Sequence, residues 1–182
     1  MPTKKKSATP VKKASAAKKS TKPGFKKHVC SLKPGDKAPA FSGVDQDGKE
    51  LSLKDYKGKK LVLYFYPKDD TPGCTAQACS LRDDYASLKK KGVEILGVSA
   101  DNEAKHQKFI EKYKLPFRLL ADTDHVVIKQ YDVWGKKQFM GRVFDGLIRT
   151  TFLINEKGVI DYVIEQPDTK AHAEEIQKLW AL

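Results

Sequence analysis

The chain has 182 residues, 40% apolar and 32% charged, with three cysteines and a formal net charge of +12. That length suffices for one compact domain with a core; no apolar run approaches the roughly 20 residues of a membrane span, and three cysteines are too few for a disulfide scaffold. The charge is uneven: Met1–Lys33 holds eleven of the 35 basic side chains, all Lys, and no acid, which leaves 24 basic against 23 acidic side chains in the rest.

Residues 1–33 are built mainly from Lys, Ala, Ser, Thr and Pro. Such a segment buries too little apolar surface to offset its ordering entropy, and it is expected to be a disordered Lys-rich tail. Two readings of it stand side by side. It is a solvated tail without a specific role, or it attaches the protein electrostatically to nucleic acid or another polyanion. Lys4-Lys5-Lys6, Lys12-Lys13 and Lys18-Lys19 also fit a nuclear address. No apolar stretch follows the lysines and the tail has no Arg, so it resembles neither a secretory signal nor a transit peptide. The expected location is the cytoplasm, with nucleoid or nuclear association through the tail, and no membrane partner is expected.

The domain is expected over 34–182. Val44–Leu51 fits a hairpin turning at Asp47-Gly48. Lys60–Tyr66 is apolar after its first residue, as in a strand covered on both faces, and it stops at Pro67. From Thr75 to Lys91 the apolar spacing is helical, through Ala78, Leu81, Tyr85 and Leu88, with Gly92 as the stop. Val93–Ser99 is the next strand. Asp101 or Asn102 caps a helix to Tyr113. Phe117–Leu120 is a short strand and Val126–Tyr131 a short helix. Arg149–Ile154 and Val159–Ile164 form a hairpin, and Thr169 or a neighbour opens a last helix ending at Trp180. Trp134 and Phe139 read as packing residues. This order implies an α/β fold with a mixed central sheet flanked by helices, for which the thioredoxin-like fold is the natural candidate.

The chemistry concentrates where the buried strand stops and a helix begins, over Pro67–Cys79. Cys74 falls in the first turn of that helix, where unpaired N–H groups and the positive dipole end favour an anion. A thiol so placed is favoured as thiolate, the form that attacks a peroxide O–O bond to give a sulfenic acid. Cys79 follows five residues on. In an intact helix the two Cα atoms stand about 8.5 Å apart, beyond the roughly 4.4–6.8 Å of a disulfide. A bond between them would require the first turns to unwind, which fraying helix ends permit. Alternatively, both cysteines are merely small apolar helix side chains. A metal is not expected, because His28, His106, His125, His172 and Cys30 complete no ligand spacing.

Pro67-x-x-x-Thr71-x-x-Cys74 resembles the active-site signature of the peroxiredoxins. The longer string Thr71-Pro72-Gly73-Cys74-Thr75-x-Gln77-x-Cys79, with Leu81-Arg82-Asp83, is similar to the peroxiredoxin Q, or bacterioferritin comigratory protein, subfamily. The likeness runs over about 33–182 and includes Val133-Trp134-Gly135 and Phe139-Met140-Gly141. It implies a thiol peroxidase in which Cys74 is the peroxidatic and Cys79 the resolving cysteine. Thr71 would hydrogen-bond the peroxide, Pro67 would shield the sulfur from water, and Arg149 would stabilise thiolate and peroxide. It also implies a hydroperoxide substrate, a thioredoxin-like reductant, no cofactor and a monomer. Gln77 stands where many of the subfamily carry Glu and is expected to play a supporting role; Cys30 matches nothing and is expected to be a bystander on the tail. Two rival readings are a basic nucleic-acid-associated protein with a non-catalytic thioredoxin-like domain, and a disulfide carrier. The carrier would normally space its cysteines two residues apart.

Overall fold

The structure, a computed structural model, describes residues 26–182. Seven strands form one mixed sheet: β1 (Ser42–Asp45), β2 (Glu50–Ser52), β3 (Lys60–Phe65), β4 (Val93–Ser99), β5 (Arg118–Ala121), β8 (Thr150–Ile154) and β9 (Ile160–Glu165), in the order β2-β1-β5-β4-β3-β8-β9. β3, β4 and β5 run parallel, while β1, β8 and β9 are joined antiparallel. The helices are α1 (Pro72–Asp83), α2 (Tyr85–Lys90), α3 (Glu103–Tyr113), α4 (Val126–Gln130) and α5 (His172–Leu179).

The apolar run of β3 accounts for its central place. Leu61 to Tyr66 are each at most 1% exposed. Their side chains alternate, as strand geometry requires. Leu61, Leu63 and Phe65 join a core layer with Val127, Ile128 and Tyr131. Val62, Tyr64 and Tyr66 join the layer formed with α1, α2, α3 and α5 through Cys74, Leu88, Phe109 and Ile176. Asn102, not Asp101, caps α3, its side chain accepting from the Lys105 N–H at 3.1 Å, and Lys114 closes that helix in the left-handed conformation at φ 53°.

The structure departs from the sequence reading in several places. The helix expected from 75 to 91 is two helices, because Asp84 sits at φ −98°, ψ 1°, and interrupts the ladder. Leu81 and Leu88 still enter one core, which is why their spacing reads as continuous. The last helix starts at His172, since the Asp168 carboxylate holds the Lys170 and Ala171 N–H groups in a turn beyond Thr169. A hairpin of β6 (Trp134–Phe139) and β7 (Arg142–Leu147), turning at Met140-Gly141, was not foreseen. Phe139, expected to be a packing residue, is 66% exposed on it, whereas Trp134 stacks on His125 with ring centroids 4.5 Å apart.

Of the expected tail, residues 1–25 lie outside the described residues. His28 and Ser31 are described, and both bond Asp132: His28 Nε2 lies 2.8 Å from its carbonyl, and the Ser31 N–H donates to its carboxylate at 2.8 Å. Cys30 is not on an exposed tail; it is 8% exposed, in a core layer, with Sγ 3.4 Å from the Tyr131 carbonyl.

Asp45 ties the β1–β2 hairpin to β5. It accepts the Asp47 and Lys49 N–H groups at 2.9 Å each and Arg118 Nε at 2.7 Å. Burial pushes its carboxyl upward, but the two N–H bonds and Arg118 outweigh that and hold it below the ordinary range. A lowered folded-state value stabilises above the unfolded value of about 4 and is lost as pH falls through the folded one. Asp45→Asn should therefore cost about 1–3 kcal/mol near pH 7. Urea melts across pH should show that difference shrinking below about pH 4, as the native carboxyl also becomes neutral.

Candidate active site

β3 and β4 deliver one mouth of the sheet. After Phe65 the chain makes one more sheet-like bond, from the Tyr66 N–H to the Val98 carbonyl at 3.1 Å, and then leaves as the loop Pro67–Thr71. Asp70 turns that loop in the left-handed region at φ 56°. Thr71 is the N-cap of α1 in extended conformation, and Pro72 takes the first helical position, where its missing N–H costs nothing. Cys74 is the third residue of α1, in the turn whose N–H groups lack helical partners.

Cys74 is 2% exposed. Arg149, in the short link between β7 and β8, reaches across to it with Nη2 3.2 Å from Sγ. Its other terminal nitrogen, Nη1, donates to Gln77 Oε1. Gln77, fully buried one turn further along α1, thus orients the guanidinium against the sulfur. Gly73 leaves room for this: a Cβ there would stand 3.3 Å from Arg149 Nη2. The sulfur therefore meets two sources of positive potential, the helix start and a permanent guanidinium charge.

Thr71 does not cap a helix N–H with its side chain; its hydroxyl donates to the Lys68 carbonyl at 3.0 Å. The oxygen lone pairs remain to accept a hydrogen from another molecule. Pro67 is half-buried where β3 passes into the loop. Cys79 is half-buried on the same helix and, like Cys74, carries a free thiol. α1 is unbroken between them, so the Cα separation stays near 8.5 Å. Arg149, Gln77 and Cys74 are thus gathered by direct contact, Thr71 and Pro67 border the helix start, and Cys79 is held away.

Sequence reasoning missed further groups. Below the loop, Tyr64 and Tyr66 stack at 5.3 Å, and burial pushes both phenols far above their ordinary value. Lys137 on β6 donates to the Leu147 carbonyl at 2.9 Å. Burial, reinforced by the charge of Arg149 and opposed by that of Cys74, lowers its ammonium value and marks it as sharing their electrostatic surroundings. Asp69 and His106 meet at 2.7 Å. They are 37 residues apart, and no spacing rule in a sequence links them. Among the described residues no cluster of three His, Cys, Asp or Glu side chains is placed to hold a metal ion, and no helix is long and apolar enough to cross a membrane.

Residues 34–163 match the model of the AhpC/TSA family. The chain is 50% identical over 141 residues to Peroxiredoxin Bcp of Escherichia coli, covering 78% of this chain and 90% of that one. With Peroxiredoxin Bcp of Bacillus subtilis it shares 43% over 150 residues, covering 82% and 96%. Among solved structures, a Xylella fastidiosa PrxQ mutant superposes with a TM-score of 0.76 at 31% identity, covering 82% of this chain and 96% of that one. A Xanthomonas campestris bacterioferritin comigratory protein, described for its alkyl peroxide reduction, gives 0.72 at 31% identity, covering 78% and 90%.

Truncating Gln77 to Ala removes the anchor of the guanidinium. Stopped-flow consumption of peroxide should slow about three- to tenfold, the equivalent of one hydrogen bond.

Proposed function

Because the chain belongs to the AhpC/TSA family, in its peroxiredoxin Q (Bcp) branch, and is a thiol-dependent peroxidase, we propose that Cys74 is its peroxidatic and Cys79 its resolving cysteine. The observation that carries this reading is the Arg149 guanidinium 3.2 Å from Cys74 Sγ at the start of α1. The Cys74 thiolate attacks the terminal oxygen of ROOH, the O–O bond breaks, and RO⁻ leaves and takes up a proton. The sulfur is oxidised to sulfenic acid and the peroxide is reduced to alcohol, or to water for hydrogen peroxide. Arg149 stabilises the thiolate and the charge developing on the oxygens. Thr71 Oγ accepts the peroxide hydrogen, and Pro67 screens the sulfur from solvent. Cys79 then attacks the sulfenic sulfur, the disulfide forms and water leaves.

Disulfide formation needs the start of α1 to open, and the free thiols on an intact helix fit the reduced form that awaits peroxide. A thioredoxin-like dithiol restores both thiols. Organic hydroperoxides join hydrogen peroxide as substrates, in keeping with the alkyl peroxide reduction activity of the Xanthomonas campestris relative. The Lys-rich residues 1–33, which lie outside the family match, tether the enzyme to nucleic acid or another polyanion in the cytoplasm.

Mixing reduced protein with hydrogen peroxide tests the site. Cys74→Ser should lose about a thousandfold or more in rate, Cys79→Ser should accumulate sulfenic acid at a native first-step rate, and Arg149→Met should lose about a hundredfold. A Cys74→Ser protein that retains the native rate contradicts the assignment. For the tail, deletion of residues 1–25 should abolish salt-sensitive DNA retention and leave peroxide turnover within about twofold, because the contacts of His28, Cys30 and Ser31 remain.

A further inference from the structure

The loop before the reactive cysteine is held down by one helix at two adjacent residues. Asp69 is 8% exposed and His106, on α3, is fully buried. One carboxylate oxygen of Asp69 accepts the Tyr66 hydroxyl at 2.7 Å, and the other lies 2.7 Å from His106 Nδ1. The second ring nitrogen, Nε2, faces the Leu120 carbonyl of β5 at 3.2 Å and so carries its own hydrogen. The Asp69 N–H donates to Asp101 at 2.8 Å, just ahead of α3, and Asp101 is itself held by Ser99 and Lys105 at 3.1 Å each.

Asp70, the next residue, bends the chain in the left-handed region, which is costly for a side chain with a Cβ. Its carboxylate is gripped from the last turn of α3, by Lys112 Nζ at 2.7 and 2.9 Å and by the Tyr113 hydroxyl at 2.6 Å. Lys112 and Tyr113 hold this carboxyl below its ordinary range. None of these groups touches Cys74, yet they fix the two residues immediately before Thr71, the N-cap of α1.

We propose that α3 is the clamp of the peroxide-binding loop: His106 through Asp69, and Lys112 with Tyr113 through Asp70, are positioning residues that favour the wound, peroxide-reactive α1 over the unwound form in which Cys79 reaches Cys74. The proposal rests on the disulfide cycle proposed above. A wound helix is needed to place Cys74 against Arg149, and an unwound one is needed for the disulfide. Contacts that secure the loop in the first state therefore accelerate the peroxide step and retard resolution.

Stopped-flow tryptophan fluorescence on the full chain separates the two steps, because the first scales with peroxide concentration and the second does not. Lys112→Met/Tyr113→Phe alters two side chains at the surface end of the clamp. Asp69→Ala/His106→Leu removes the buried pair together, so that neither of the two faces a lost partner, at the cost of one bond each from the Tyr66 hydroxyl and the Leu120 carbonyl. Each double variant should slow the peroxide step and speed the peroxide-independent step, by about three- to tenfold each. Sulfinic acid formed at high peroxide should fall in parallel, because the sulfenic acid lives for a shorter time. Lys112→Arg, which keeps donor and charge, should bring the surface variant's constants back toward the native ones when Tyr113 is retained. Both steps unchanged, or both slowed together as in general loss of structure, would overturn the clamp. If the native protein shows no peroxide-independent step, the disulfide cycle itself fails and the clamp fails with it.

Discussion

Two side chains five residues apart on an unbroken α-helix stand on different faces and about 8.5 Å apart at Cα, and this constraint governs the rest of the molecule. Cys74 needs the helix. The first turn supplies unpaired N–H groups, sets the sulfur 3.2 Å from the guanidinium of Arg149, and lets Gln77 hold that guanidinium from one turn away. For the disulfide proposed with it, Cys79 needs the helix gone. In the proposed cycle a single segment thus serves two incompatible geometries in succession, and the remaining structure makes the first stable without making the second unreachable.

The sheet supplies the stability. β3 is buried on both faces, and its parallel pairing with β4 and antiparallel pairing with β8 fix the strand end from which the loop departs. β8 also fixes Arg149, which immediately precedes it. The Cys74 sulfur and its cationic partner are therefore registered by neighbouring strands of one sheet, although they are 75 residues apart in sequence. Reachability comes from the helix end. Only Pro72 and Gly73 lie between the N-cap and Cys74, and the Thr71 hydroxyl bonds back to Lys68 rather than forward into the helix. That leaves the first turn short of one of the usual caps.

Much of this was legible in the sequence, for identifiable reasons. The continuous apolar run Leu61–Tyr66 suited the middle of a covered sheet, and Pro67 marked where it stopped. Cys74, Cys79, Thr71 and Pro67 belong to one contiguous string, so a local motif brings them into view together. Arg149 came from the resemblance, since a lone Arg before a strand carries no signal of its own. What escaped was non-local or lacked pattern. Asp69 and His106 meet only because α3 folds over the loop. The β6–β7 hairpin is polar and glycine-containing, with an exposed apolar tip, and shows no clean alternation. Cys30 lies in a Lys-rich context that signals exposure, yet its neighbourhood is tied to Asp132 by His28 and Ser31, and Cys30 itself is covered.

Hydrogen exchange with mass spectrometry across residues 72–80, combined with disulfide mapping after one equivalent of hydrogen peroxide, tests the central claim most directly. The account predicts that the reduced protein protects the amides following the first turn of α1. On oxidation that protection should collapse, in the same molecules that carry a Cys74–Cys79 bond. A Cys74–Cys79 disulfide formed while those amides remain fully protected, or an oxidised protein with no bond between these two sulfurs, would contradict it.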